Sequence, residues 1–128
     1  MQTLVEKIVL DNGLTAEVWD RSRLIAEDTT KVELYVCIPI PLERSFFPGD
    51  EPFETVRRIW GETLVFEYVN MRTFVKNDAC ADVFSNLLAD FRDHTLPYLG
   101  RKGFARGVAL SKYREFLGNP HQYRNLPT

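Results

Sequence analysis

Leu4-Val5-Glu6-Lys7-Ile8-Val9-Leu10-Asp11-Asn12-Gly13-Leu14-Thr15-Ala16-Glu17-Val18-Trp19 is the stretch from which the fold is read. Two extended runs flank Asp11-Asn12-Gly13, and Asn-Gly supplies the positive φ angles that tight hairpin turns require. In the second arm Leu14, Ala16 and Val18 alternate with Thr15, Glu17 and Trp19, giving one apolar and one mixed face. That pattern predicts an antiparallel sheet covered mainly on one side.

Thr30 to Ile40 continues the sheet. Val32, Leu34, Val36, Ile38 and Ile40 share one face; Glu33, Tyr35 and Cys37 share the other. Pro39 and Pro41 remove two amide donors from the same side, so this end of the strand is expected at an edge or leaving the sheet. Phe47-Pro48-Gly49-Asp50 suits a type II turn, after which Asp50 caps a helix from Glu51 to Trp60. Glu51 and Glu54 near its start, Arg57 and Arg58 near its end and Gly61 beyond agree with the helix dipole and a glycine C-cap.

Thr63 to Val75 is rich in β-branched and aromatic residues and reads as an inner strand, although a helix through Leu64, Tyr68, Met71 and Val75 can also be drawn. A helix begins at Asn77 or Asp78, with Cys80, Phe84, Leu87, Leu88 and Phe91 as its apolar stripe, and Pro97 ends or kinks it. A second helix covers Lys102 to Leu117, where the spacing of Gly103 and Gly107 would permit a close helix crossing. The resulting order, β-β-β-α-β-α-α, predicts an α+β fold: a small antiparallel sheet with helices packed on one face. Residues 1–117 are expected to form a single domain and residues 118–128 a polar tail.

The chain has 128 residues, 45% hydrophobic and 27% charged, which is globular rather than disordered composition. Its net charge of −2 hides an uneven division: residues 1–100 carry 10 Lys/Arg against 17 Asp/Glu, and residues 101–128 carry 6 against 1. Such asymmetry bears on partners, not on fold. The amino-terminal residues lack a basic stretch followed by an apolar core, and the apolar run Val36 to Leu42 is too short to span a bilayer. The expectation is a cytoplasmic protein with no membrane partner and with Cys37 and Cys80 reduced.

Leu10-Asp11-Asn12-Gly13-Leu14 is similar to the opening hairpin of the pitrilysin-type zinc peptidases. Those enzymes hold zinc on a His-x-x-Glu-His helix, and His94 and His121 have no such spacing, so the resemblance ends at the turn. No metal-ligand spacing, phosphate loop or other cofactor motif is present. Cys80, in the first turn of a helix, and His94, near its end, are the two residues on which catalysis could be built. Their structural alternatives are a small core residue and a cap on a helix-end carbonyl. Asp78 and Asp82 could share a cation but lack a third oxygen ligand.

Two surfaces remain. Pro39, Pro41, Phe46, Phe47 and Pro48 form a proline-bearing exit with paired aromatics, suited to another protein or a second copy of the chain. Arg101, Lys102, Arg106, Lys112 and Arg114, with Arg124 beyond them, are interleaved with Phe104, Tyr113, Phe116 and Tyr123. Such a segment could neutralise phosphates while aromatic faces stack on bases. The sequence therefore supports an interaction or regulatory module first, nucleic-acid binding through the basic segment second, and an enzyme using Cys80 or His94 third.

Overall fold

The Asp11-Asn12-Gly13 loop joins β1 (Thr3–Val9) to β2 (Thr15–Asp20), which pair antiparallel from Thr3↔Asp20 to Val9↔Thr15. The computed structural model describes residues 2–123. Of the turn residues only Gly13 takes a positive φ, +90°. The Gly13 N–H donates to the Leu10 carbonyl at 2.9 Å and the Leu10 N–H to the Leu14 carbonyl at 2.7 Å. The loop is thus a three-residue one closed by glycine, not a two-residue turn with both central residues at positive φ. Asn12 is released from that conformational role, and its side chain has a different one, described below.

The chain divides into two compact units, one formed by residues 1–38 and 67–101 and the other by residues 39–66 and 102–128. The first holds β1, β2, β3 (Arg23–Ala26) and most of β4 (Thr29–Pro41), together with the second part of β5 (Thr63–Lys76). It also contains α2 (Cys80–Asp90) and α3 (Leu96–Leu99). All pairings with a determined register are antiparallel, and the fold is the α+β class that the sequence predicts.

The short strand β3 has no alternating pattern in sequence, and all four of its residues are exposed. It extends β2 along the same edge of β4. Glu17 faces Cys37 and Val18 faces Val36; six residues on, Arg23 faces Lys31 and Leu24 faces Thr30, six residues back. Between them the Glu33 N–H donates to Ser22 Oγ, and Ser22 N–H to Asp20 Oδ1, so side chains fill the break in the ladder. Since β2 and β3 occupy one edge of β4, β5 lies on the other.

The apolar face of this unit is as expected: Ala16, Val18, Val32, Leu34, Val36 and Ile38 are fully buried. Each large side chain so buried contributes about 1.5–3 kcal/mol. Phe91, also fully buried, meets Tyr68 of β5 at a ring separation of 5.1 Å. Pro97 does interrupt its helix. A π turn over Phe91–Thr95 separates α2 from α3 just ahead of it. A proline cannot donate to the carbonyl four residues back and crowds it, and the widened turn accommodates that loss.

Strand β5 is not an inner strand. It pairs with β4 and with no other strand among the described residues, so its second side is an open edge. Its apolar run is covered on one face only: Leu64 is buried and Phe66 and Tyr68 pack on Phe104 and Phe91, while Val65, Val69 and Met71 on the other face are exposed.

The second unit holds the end of β4, α1 (Asp50–Trp60), the start of β5 and α4 (Phe104–Gly118). Ile40, Phe47, Phe53, Val56, Leu64, Phe104 and Ala109 are buried within it. Phe66 meets Phe104 edge to face at 5.1 Å, and Phe47 meets Phe53 at 6.1 Å. Helix α1 opens with Asp50 and Glu51 and closes with Arg57, Arg58 and Gly61 (φ +88°), as its sequence predicts. The type II turn does not form, because Gly49 is extended (φ −169°) and itself occupies the N-cap. Asp50 binds Arg44 instead. Gly103 and Gly107 support no close helix crossing: a Cβ at either would meet nothing within 4 Å.

Candidate functional site

The prolines of β4 act as the amide count requires. The Arg21 N–H donates to the Glu33 carbonyl, so odd-numbered β4 residues turn their backbone groups toward β2. The β2 pairing stops at Cys37, two residues before Pro39. On β4's opposite side bonding continues, the Leu42 N–H donating to the Glu62 carbonyl at 2.9 Å. Pro39 and Pro41 are exposed, and their edge lacks the donors with which an added strand would pair.

Of the loop aromatics, Phe47 is buried against Phe53, Phe46 is half-buried and Pro48 is exposed. Phe47 is thus a core side chain, while Arg44 lies 4.4 Å over the Phe53 ring and pairs with Asp50 and Glu54. A recess of about 380 Å³ beside the proline strand is lined by Pro41, Leu42, Phe53, Arg57, Glu62 and Thr63.

The basic residues separate into two groups. Arg101 lies in the first unit, over the Tyr98 ring at 5.3 Å. In the second, Lys112 sits 5.5 Å from the Trp60 ring centroid and 3.9 Å from Glu115. Lys102, Arg106 and Arg114 are exposed, with no ion pair among the described residues. Phe104 is buried, and Tyr113 and Phe116 stack on each other at 6.2 Å, with Tyr123 touching Phe116 and Trp60. The rings are thereby packed within their own unit. Arg124 lies outside the described residues.

Cys80 Sγ is 3.5 Å from the Lys76 carbonyl, and His94 Nδ1 is 3.2 Å from the Asp90 carbonyl, the capping contact. Fourteen residues along one interrupted helix place Cys80 and His94 about 20 Å apart. Cys37, half-buried, contacts Glu17 Oε1 at 3.5 Å. Burial, and then Glu17, push its thiol pKa up, away from the thiolate a nucleophile needs. Among the described residues no three His, Cys, Asp or Glu side chains converge to hold a metal.

The surface that sequence reasoning missed is the open side of β5. Beside that edge Val69 (46% exposed) and Met71 (41%) share the solvent face of the strand, and Phe74 (74%) is exposed farther along it. Phe74 also takes φ +58°, a left-handed conformation costly for a bulky residue. Alternation was a usable signal: Leu64, Phe66, Tyr68 and Asn70 are more buried than Val65, Glu67, Val69 and Met71. The apolar odd positions concealed it.

No described helix is long and apolar enough to cross a membrane. Compared with protein-family models, with curated proteins and with solved structures, the chain matches none of them.

Proposed function

We propose that this protein is an interaction module that takes an extended segment of another polypeptide along the open edge of β5. The observation that carries the reading is one long edge strand displaying Val69, Met71 and Phe74 to solvent. Unpaired backbone groups beside exposed apolar side chains are the template for strand addition, in which backbone bonds supply affinity and alternate side chains supply selectivity. The strained, exposed Phe74 supports it, since a left-handed bulky residue is retained where the surroundings or a function require it. The contrast within the molecule also supports it: the free edge at Pro39 and Pro41 is blocked by prolines, and β5 has none.

Peptides selected from a random display library against the folded protein test this. Binders should slow amide exchange over residues 67–71 and be lost on Val69→Lys with Met71→Lys in a variant of unchanged circular dichroism. Binders that protect other residues, or that survive the double substitution, overturn it.

A second reading, nucleic-acid binding, is favoured by one observation: Arg101, Lys102, Arg106 and Arg114 are exposed and without ion pairs among the described residues. Because Lys112 and the neighbouring rings are engaged in packing, such binding would rest on phosphate neutralisation alone. It requires affinity that falls steeply with salt, and flat salt dependence in a single-stranded oligonucleotide titration removes it.

A further inference from the structure

On the solvent face of the first unit, Arg21 stands opposite Glu33 and Arg23 opposite Lys31. Residues two apart on a strand share a face, so these four side chains form a two-by-two grid on adjacent strands about 4.8 Å apart. They line, with Gln2, a recess of about 440 Å³. Three of the four are cations and one is an anion.

The arrangement of bonds matters more than the count. Glu33 is almost completely buried, with Lys31 Nζ at 2.9 Å and Arg21 Nε at 3.5 Å. A buried carboxylate must be paired, and here it holds two cations in fixed positions at the floor of the recess. Arg21 is further fixed by stacking 4.3 Å over the Tyr35 ring. Arg23 has no ion pair among the described residues and is exposed, leaving its guanidinium donors free. With one carboxylate among three cations, two positive charges remain unmatched in a concave, preorganised setting.

We infer that this recess binds a phosphomonoester, its dianionic head group lying between Arg21, Arg23 and Lys31. Arginine presents paired donors that match phosphate oxygens, and two uncompensated cations match the head group's charge of about −2 at neutral pH. A recess of this size lies within the roughly 300–1,000 Å³ of small-molecule sites, leaving room for an organic substituent beside the phosphate.

Arg23→Gln is the discriminating variant, because the native side chain has no structural partner to lose. Phenyl phosphate, inorganic phosphate and dimethyl phosphate are titrated against the native protein and this variant, read by amide chemical shifts. Phenyl phosphate should produce saturable shifts at residues 21–33, with affinity reduced roughly tenfold by Arg23→Gln, as expected for loss of one charge-assisted contact. Dimethyl phosphate, a monoanion, should bind at least tenfold more weakly. Inorganic phosphate should bind the same residues, and more weakly than phenyl phosphate if the organic group is accommodated. Shifts scattered over the surface, equal binding of the diester, equal binding of inorganic and phenyl phosphate, or affinity unchanged by Arg23→Gln would each overturn the assignment.

Discussion

Asn12 Nδ2 donates to the Leu99 carbonyl at 3.0 Å and to the Arg101 carbonyl at 2.9 Å, joining the tip of the first hairpin to the end of α3. Its Oδ1 accepts the Leu14 N–H at 3.1 Å. One side chain therefore closes its own turn and satisfies carbonyls that a helix end leaves without partners. Asn12→Ala should destabilise the first unit by about 1–3 kcal/mol, the cost of leaving part-buried groups unpaired. Asn12→Asp keeps the acceptor but sets a carboxylate oxygen against two carbonyls, so it should recover stability only when protonated. Urea midpoints at neutral and mildly acidic pH separate these outcomes.

Phe47 and Phe46 are adjacent in sequence but not in energetics. Phe47→Ala removes a buried ring packed on Phe53 and should cost about 3–5 kcal/mol, with Phe46→Ala costing markedly less. The two tryptophans, Trp19 and Trp60, fall one in each unit. Fluorescence of Trp60 in a Trp19→Phe background therefore reports the second unit, and equal midpoints for the two alanine variants would contradict the burial seen here.

Two glycines should respond with opposite signs. Gly61, at φ +88° and ψ −167°, has open space around its α-carbon, so Gly61→Ala suffers only backbone strain and should lose about 1–3 kcal/mol. Gly107, inside α4 with nothing within 4 Å, should gain about 0.5–1 kcal/mol as alanine. Thermal melts of both variants check the pair.

Alkaline pH should weaken the first unit. Burial, then the Glu17 contact, raises the Cys37 pKa, and burial, then the bond to Glu67, raises that of Tyr35. The folded state holds both protons more tightly, so this stability is complete below the unfolded values, about 8.5 and 10, and lost as pH rises through the folded ones. Denaturation midpoints should fall above about pH 8.5. Cys37→Ser should flatten the lower part of that decline and Tyr35→Phe the upper.

The β1–β2 hairpin, the buried face of β4, the glycine C-cap of α1 and the break at Pro97 were legible because each depends on local rules: side-chain period, φ preference, amide count. The strand β3 was not, since Arg23, Leu24, Ile25 and Ala26 alternate on neither face and gain their extended form from the ladder with β4. The role of Phe47 was likewise open, because an aromatic in a loop packs or protrudes according to what lies beneath it.

From sequence alone came the α+β class, the principal elements and the basic character of residues 101–128, all properties of neighbours along the chain. Only tertiary structure decided that β5 is an edge, that Asn12 bonds across 87 residues to Leu99, and that Arg21, Arg23 and Lys31 gather around Glu33. The reason is physical: periodicity records which face is apolar, but strand order, register and long-range bonding depend on groups far apart in sequence, whose pairing no local window contains.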